Sequence, residues 1–597
     1  MKINNFKKEK EVEKVHVWEK IEIKLEADNN YENPYTEVDV WVDLEGPDFK
    51  KRVYGFWDGG NIFKIRITAT SPGKWNWVSD SNQLDPGLNG KQGSFTAENW
   101  KEEDKKENPC RRGFIRPSKD GNSLKYADGT PYFLIGDTWW ATPSYRFKWY
   151  DDDNKRPIGP DMGFKDMVRY RKKQGYNCIA MIAAHPTWDN DGYPAEVQME
   201  DKENTNIRSA WKQPGTESAE PMHNEGGRPF KFPGKVSGYE DIVPDFDRIN
   251  PEYFKYMDRK IDYLNENGFI PFIEVARRDI SQVWKKFYNW PESYARYIQY
   301  IFSRYQANNC ILSPIHFDYS GKSIPSKEFN EPIRYYINEY GKPPFGNLLS
   351  TNAHLSNFRN FGGPEHNDWL DLYQTGNWRE HCHYWHLTEI FHQEPSKPAL
   401  NGEPYYAGCP LCWPHDREPE NEKEDALYCR SGMYGSVLSG GLSGHIYGAQ
   451  GLWEGAVEEE ADPVMWESLT LESGKQMQYL SKFILSEGER YKELVPNSEY
   501  LQPNKAGDPE GYKGWAYCAG TPEKDFFLMY FESDCPEVIF RGTFPGRKYR
   551  GWWFNPRSGS WLKIENLLIP SAETGLIDIP AFPSNNDWGL KLIEAEK

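Results

Sequence analysis

YFLIGDTWW from Tyr132, NCIAMIAAHP from Asn177, FIPFIEVARRD from Phe269 and NCILSPIHFDYS from Asn309 are short β-type runs separated by longer, mostly polar stretches. GNLLSTNAH from Gly346, WLDLYQTGN from Trp369, KPALNGEPYY from Lys397 and LSGHIYGAQGLW from Leu442 extend the series to eight. Helical candidates lie between most of them. FKDMVRYRKKQG, PEYFKYMDRKIDYLNENG and PESYARYIQYIFSRYQAN carry apolar residues at i, i+3/i+4 and i+7. Two of the three end at Gly, a helix stop signal. Eight βα units in roughly 370 residues predict an α/β fold, a (β/α)8 TIM barrel with its active site at the C-terminal strand ends. A doubly wound sheet is the alternative. Its glycine-rich phosphate loop is missing after the first strand, which reads GDTWWA.

Outward from this core the periodicity changes on both sides. Upstream, VHVWEKIEIKLEA, TEVDVWVDLEG and KRVYGFWDGGNIFKIRITAT alternate apolar and polar residues between Gly, Pro, Asp and Asn turns. That pattern predicts an antiparallel β-sandwich closed by the charged linker KEEDKKENP. Downstream, a helix around Trp466–Leu485 precedes further strands, GWAYCAG, DFFLMYFES, KYRGWWFNPRSGSW and DWGLKLIEA. The expected organisation is an N-terminal β-sandwich over 1–108, the barrel over 109–487 and a C-terminal β-sandwich over 488–597. The long polar stretch from Thr187 to about Asp245 follows the second strand and is expected to rim the pocket as a specificity loop.

Composition limits the partners. The 72 Lys and Arg against 90 Asp and Glu give a net charge of −18, which repels phosphate backbones, so no nucleic-acid partner is expected. The mean hydropathy is −0.84, and no apolar run approaches the ~18 residues of a membrane span. The first residues, MKINNFKKEKEVEKVHVWEK, carry charge without an apolar core, so no secretory signal is read and a cytoplasmic location is expected. Nine cysteines show no even framework of spacings. Aromatic content is high, with 24 Trp, 37 Tyr and 31 Phe making 15% of the chain. Such side chains suit a core, an interface or a sugar ring. The oligomeric state is not legible.

The strand ends carry carboxylates, imidazoles and aromatics, with few lysines. Two carboxylates on different strand ends, walled by Trp and Tyr, fit glycoside hydrolysis, in which one group donates a proton and the other is an ionised nucleophile or base. YADGTPYFLIGDTWW, KPALNGEPYY, SVLSGGLSGHIYGAQGLWEG and WWFNPRSG…DWGLKL together resemble the apiosidase-like glycoside hydrolases of family 140 and their relatives, across essentially the whole chain. The resemblance implies a barrel with flanking sandwiches, the second sometimes labelled collagen-binding, and a carbohydrate substrate. It also implies a nucleophile at the end of strand seven, Glu403 in NGEPYY, and an acid/base at the end of strand four, Asp318 in IHFDYS. HFDYS lacks the Asn that often precedes this acid in the wider clan, so Glu274 and Asp279 on strand three stand as alternatives. Carboxyl groups ~5–5.5 Å apart would mean retention of configuration, and ~6.5–9.5 Å inversion.

Around this pair, Asp137, Trp139, Trp140, His185, His316, His354, Gln374, Tyr405, His445, Tyr447 and Trp453 are the candidate substrate-binding residues. Each has a plainer reading. Asp137 could cap the next helix, the tryptophans could be core, and the histidines could be satisfied by backbone. No metal or cofactor is expected. HCHYWH reads as the helix after strand six, and the single CxxC of CPLCWPH (Cys409, Cys412) is weak evidence for zinc. A catalytically silent carbohydrate-binding protein on the same scaffold is the rival reading.

Overall fold

A computed structural model of the chain describes residues 13–184, 223–237, 240, 243–318, 323–409, 419–459 and 461–595. At its centre eight strands form one sheet: β1 Leu134–Thr138, β2 Cys178–Ala184, β3 Ile270–Ala276, β4 Ile311–Ser313, β5 Leu355–Ser356, β6 Tyr373–Gly376, β7 Ala399–Glu403 and β8 Gly444–Tyr447. Their order is β4-β3-β2-β1-β8-β7-β6-β5. Every neighbouring pair is parallel except β5–β6.

Parallel strands covered on both faces are apolar throughout, and their side chains alternate between two environments. One buried cluster takes Leu134, Cys178, Ala180, Ile182, Ile270, Phe272, Ile311, Leu348, Leu372, Leu400 and Ile446, with Trp140 above them. Their chain neighbours Ile135, Ile179, Met181, Ile273, Leu312, Leu349 and Tyr447 pack instead with the helices. Three of these helices are those the periodicity predicts. They are α1 Phe164–Lys173, α2 Pro251–Glu266 and α3 Glu292–Tyr305. Asn250 caps α2 by accepting the Glu252 N–H, with Pro251 in the first turn. The HCHYWH stretch enters a further helix, α4 Trp385–Phe391.

One expected strand differs. The run from Gly346 supplies only a single parallel bridge, Leu312 to Leu349. The Leu349 carbonyl accepts from Asp371 and Leu372, at 2.8 and 3.2 Å, and its N–H donates to Asp371 Oδ2 at 3.0 Å. Its backbone is thus committed to the loop before β6. The last strand of the sheet is Leu355–Ser356, running antiparallel to β6.

Before the central sheet, a five-stranded and a three-stranded sheet share one buried cluster that includes Val42, Ile65, Trp75 and Phe95. After it, a six-stranded and a three-stranded sheet enclose a second, with Phe527, Met529, Phe540 and Leu590. Both ends are joined to the centre by charge. Asp258 on α2 accepts from Arg66 Nη2 (2.5 Å) and Arg304 Nη2 (2.8 Å), and Arg304 also reaches Asp58 (3.1 Å). Downstream, Glu532 takes His381 Nδ1 at 2.9 Å and Ser431 Oγ at 2.6 Å. Asp587 takes Arg430 Nε at 2.7 Å and Arg557 Nη1 at 2.7 Å. The eight described cysteines are free thiols, and no helix among the described residues is long and apolar enough to cross a membrane.

Removing one partner of a buried pair strands the other charge. Asp258→Asn should cost about 3–5 kcal/mol in denaturant unfolding. Arg304 and Arg66 hold Asp258 far below the ordinary carboxylate range. Its contribution is therefore full above the unfolded value of about 3.9 and is withdrawn as the pH falls below it. Between pH 6 and 3 the variant should show a shallower loss of stability than wild type.

Candidate active site

The inner-facing positions of the central sheet end in polar groups. Glu274 follows Ile270 and Phe272 at the same parity, is completely buried, and uses both carboxyl oxygens. Oε1 accepts the Asn352 backbone N–H at 2.9 Å, and Oε2 bonds His316 Nδ1. The opposite ring nitrogen of His316, Nε2, lies 3.6 Å from Asp318 Oδ1. The Asn352 side chain donates to Glu403 Oε2 at 2.9 Å. His316, Asp318 and Glu403 each offer an atom lying within 4.8 Å of those of the other two.

Arginines surround the pair of carboxylates. Arg278 bonds Asp318, and Arg277 Nη2 lies 3.5 Å from Asp318 Oδ2. The backbone fixes both, because Arg277 bridges His316 and the Arg278 N–H donates to the His316 carbonyl at 3.1 Å. Arg379 sits over the Tyr406 ring at 4.7 Å. Burial raises the Glu403 carboxyl above its usual range, opposed by the charge of Arg379, by Asn352 and Tyr406, and by Arg278. Burial also pushes Glu274 well above its range, and the negative charge of Glu403 adds to the effect. His316, Asp318 and Glu403 have the donor chemistry of a divalent-cation site. Three guanidinium groups beside them oppose a further positive charge.

The loop after β6 connects the two carboxylate strands. Asn377 is left-handed, with φ of 54°, a conformation that Asn tolerates better than most residues. Its N–H donates to the Glu403 carbonyl at 2.8 Å, and its side-chain amide bonds the Asp318 carbonyl. The turn delivers Arg379 inward and leaves Trp378 45% exposed. The Trp378 indole N–H donates to His354 Nε2 at 2.6 Å. Burial and then the Arg278 charge lower the pKa of His354, which suits the neutral, accepting imidazole.

The structure thus brings Asp318, Glu403, His316 and Trp140 together, with the Trp140 ring edge-on to His316 at 4.6 Å. Trp453 packs against the same inner cluster, and His354 lies beside it through Trp378. The other candidates sit elsewhere. Asp137 has outward parity and is spent on Arg171 Nε at 2.7 Å and the Trp139 indole at 2.9 Å. Trp139 stacks on Phe147 in the helical layer. Tyr447 bonds Ser473, and His445, on the same face of β8, is driven to about 3 by burial. Gln374 faces inward but donates to Ser350 Oγ at 2.8 Å, and a Cβ on Gly402 would lie 1.8 Å from its Oε1. That contact explains the glycine of NGE. Tyr405 donates to Asp425 at 2.8 Å, and Tyr406 takes the place beside Glu403. His185, Cys412 and the 185–222 part of the expected specificity loop lie outside the described residues. Arg379 and Asn377 escape a sequence reading centred on strand ends. Their signal is the Gly-Asn step of TGNWRE, which marks a left-handed turn.

Known proteins match along the chain. The family model described as "Apiosidase-like, catalytic domain" matches residues 118–489, and "Domain of unknown function (DUF5060)" matches residues 14–82. No curated protein matches. A "putative glycoside hydrolase" from Bacteroides vulgatus ATCC 8482 superposes with a TM-score of 0.64 at 16% identity, covering 98% of this chain and 100% of its own. A glycoside hydrolase family 5 structure from the same organism gives 0.57 at 17% identity, covering 82% of this chain and 94% of that one. A third structure, titled "Glycoside hydrolase", gives 0.54 at 18% identity over 82% of this chain and 99% of its own. These likenesses establish a shared mixed α/β fold. With its central 118–489 segment, well over half of the 597 residues, matched by the family model, the chain belongs to the apiosidase-like family.

Proposed function

We propose that the chain is a retaining glycoside hydrolase acting on a polysaccharide side chain or a derived oligosaccharide, with Glu403 as nucleophile and Asp318 as acid/base. We read the central segment, 109–487, as a (β/α)8 barrel whose edges meet through the Leu312–Leu349 bridge. It stands between β-sandwiches over 1–108 and 488–597. The observation that carries the function is the proximity of Asp318 and Glu403, whose nearest oxygens lie within 4.8 Å. That separation leaves little room for an intervening water and suits double displacement. The Glu403 carboxylate attacks the anomeric carbon while the leaving oxygen takes a proton from Asp318. Water then cleaves the glycosyl ester and returns a proton to Asp318. The exposed Trp378, held by its edge to His354, offers a ring face to a neighbouring sugar unit.

A second reading, a silent carbohydrate-binding protein, is favoured by one observation: Asp318 faces two guanidinium groups, which stabilise its charge. A panel of aryl pyranosides and furanosides, apiosides included, separates the two. Wild type should release aryl alcohol, and NMR should show the first-formed sugar with retained anomeric configuration. Glu403→Gln should lose roughly 10³-fold or more. Asp318→Asn should lose roughly 10²–10⁴-fold on poor leaving groups and far less on dinitrophenyl ones. Binding without turnover across the panel would favour the silent protein.

Trp378→Ala should raise KM for oligosaccharides by roughly 2–10-fold with kcat nearly unchanged, the scale of one lost aromatic contact. An unchanged KM for every chain length would remove Trp378 from the binding surface.

A further inference from the structure

Behind the two carboxylates lies a third carboxyl group that the double displacement does not use. Glu274 is completely buried on β3, one strand from Asp318, and cannot rotate, because Asn352 N–H holds Oε1 at 2.9 Å while Oε2 bonds His316 Nδ1. His316 is equally buried, its ring flanked by Trp140 and its backbone bridged to Arg277. Its second nitrogen, Nε2, is 3.6 Å from Asp318 Oδ1. Glu274, His316 and Asp318 therefore form one line from the protein interior to the cleft. The other polar and charged groups facing this line are Ser313, Tyr294 and Glu403 around Glu274, and Arg277 and Arg278 around Asp318.

The charges of this line have a consequence for the reaction. Arg277 and Arg278 stabilise negative charge on Asp318, so the proton needed by a departing sugar oxygen has to be resupplied from nearby. Glu274 is placed to hold it, because burial and the charge on Glu403 both favour its neutral form. When Glu403 becomes a glycosyl ester it loses that charge, and the repulsion that adds to burial in keeping Glu274 protonated disappears at the step when a proton is required.

We propose that Glu274 and His316 are positioning residues that share one proton with Asp318 and move it in step with the charge on Glu403. The assignment rests on the roles given to Asp318 and Glu403 above. In the first half-reaction the bond from the anomeric carbon to the leaving oxygen breaks, and the bond to Glu403 forms. The leaving oxygen takes a proton through Asp318, His316 Nε2–H replaces it, and the Glu274 proton moves to Nδ1. Glu274 then carries the charge that Glu403 has lost. In the second half-reaction Asp318 passes its proton back toward His316, and the carboxylate this frees takes a proton from the water that attacks the ester. The transfers reverse, so that Nε2 is reprotonated, Nδ1 returns its proton to Glu274, and Glu403 leaves as a carboxylate.

Glu274→Gln in the full chain tests this, because an amide can keep the Asn352 and His316 hydrogen bonds but cannot release a proton in this way. The first arm needs no substrate. In ¹⁵N-histidine-labelled protein, a strongly deshielded bridging proton on His316 Nδ1 should appear in wild type and vanish in both Glu274→Gln and His316→Asn. Its absence from wild type would overturn the proposal. In the second arm, on aryl glycosides that wild type cleaves, Glu274→Gln should lose roughly 10²-fold in kcat/KM with 4-nitrophenyl leaving groups. It should lose under tenfold with 2,4-dinitrophenyl ones, which depart with little protonation. Equal losses on both would mark a merely structural role and refute the relay. If wild type cleaves nothing, the hydrolase reading fails, and the resonance alone decides whether the Glu274–His316 pair shares a proton.

Discussion

A strand buried on both faces hands alternate side chains to opposite environments, and this alternation governs the central sheet. The parity of Leu134, Cys178, Ile270, Ile311, Leu400 and Ile446 builds a packed inner floor. On β3 the same parity carries the chain from apolar residues to Glu274 without a change of face. A residue one place out of step, such as Asp137 or Tyr447, is delivered to the helices however suitable its chemistry. Catalytic chemistry is therefore confined to inner positions, to the few residues just beyond the strand ends, and to Glu403, which a register shift in β6–β7 sets opposite Gly376.

Within that confined space the polar groups are coupled. Glu274 reaches Asp318 through His316 and Glu403 through the backbone and side chain of Asn352. Asn377 makes a second connection by bonding main-chain carbonyls of both acidic residues. The main chains of Asp318 and Glu403 are thus tied together by the hydrogen bonds of Asn377, while His316 Nε2 stands 3.6 Å from Asp318 on the other side. Such an arrangement favours preorganisation, since little has to move as charge develops.

Much of this was legible in the sequence, and the limits are physical. The helices over Phe164–Lys173, Pro251–Glu266 and Glu292–Tyr305 repeat apolar residues strongly enough to be read directly. The runs containing Asp318 and Glu403 could be ordered along the chain, and the structure brings those two residues together. Facing is harder, because a continuous apolar run shows no alternation from which to infer which side is inner. Asp137, Trp139 and Tyr447 point to the helical side, and Tyr406, not Tyr405, bonds Glu403. Arg379 lies past a left-handed Asn, where strand periodicity carries no information. The run from Gly346 looked like its neighbours, yet its backbone is taken by Asp371.

The buried charge pairs at the two ends of the central segment bear on how the protein comes apart. Arg66 and Asp58 of the N-terminal sheets pair across to Asp258 and Arg304 as well as with their own Glu22 and Lys64, and Asp587 and Glu532 of the C-terminal sheets pair across to Arg430 and His381, Asp587 also with Arg557. Peeling either end away would expose new apolar surface and also break these cross-segment pairs. Loss of one end therefore weakens the centre, and loss of the centre weakens both ends. Three segments that could each enclose a hydrophobic core are bound into a single cooperative unit by a handful of arginines, a histidine and their acids.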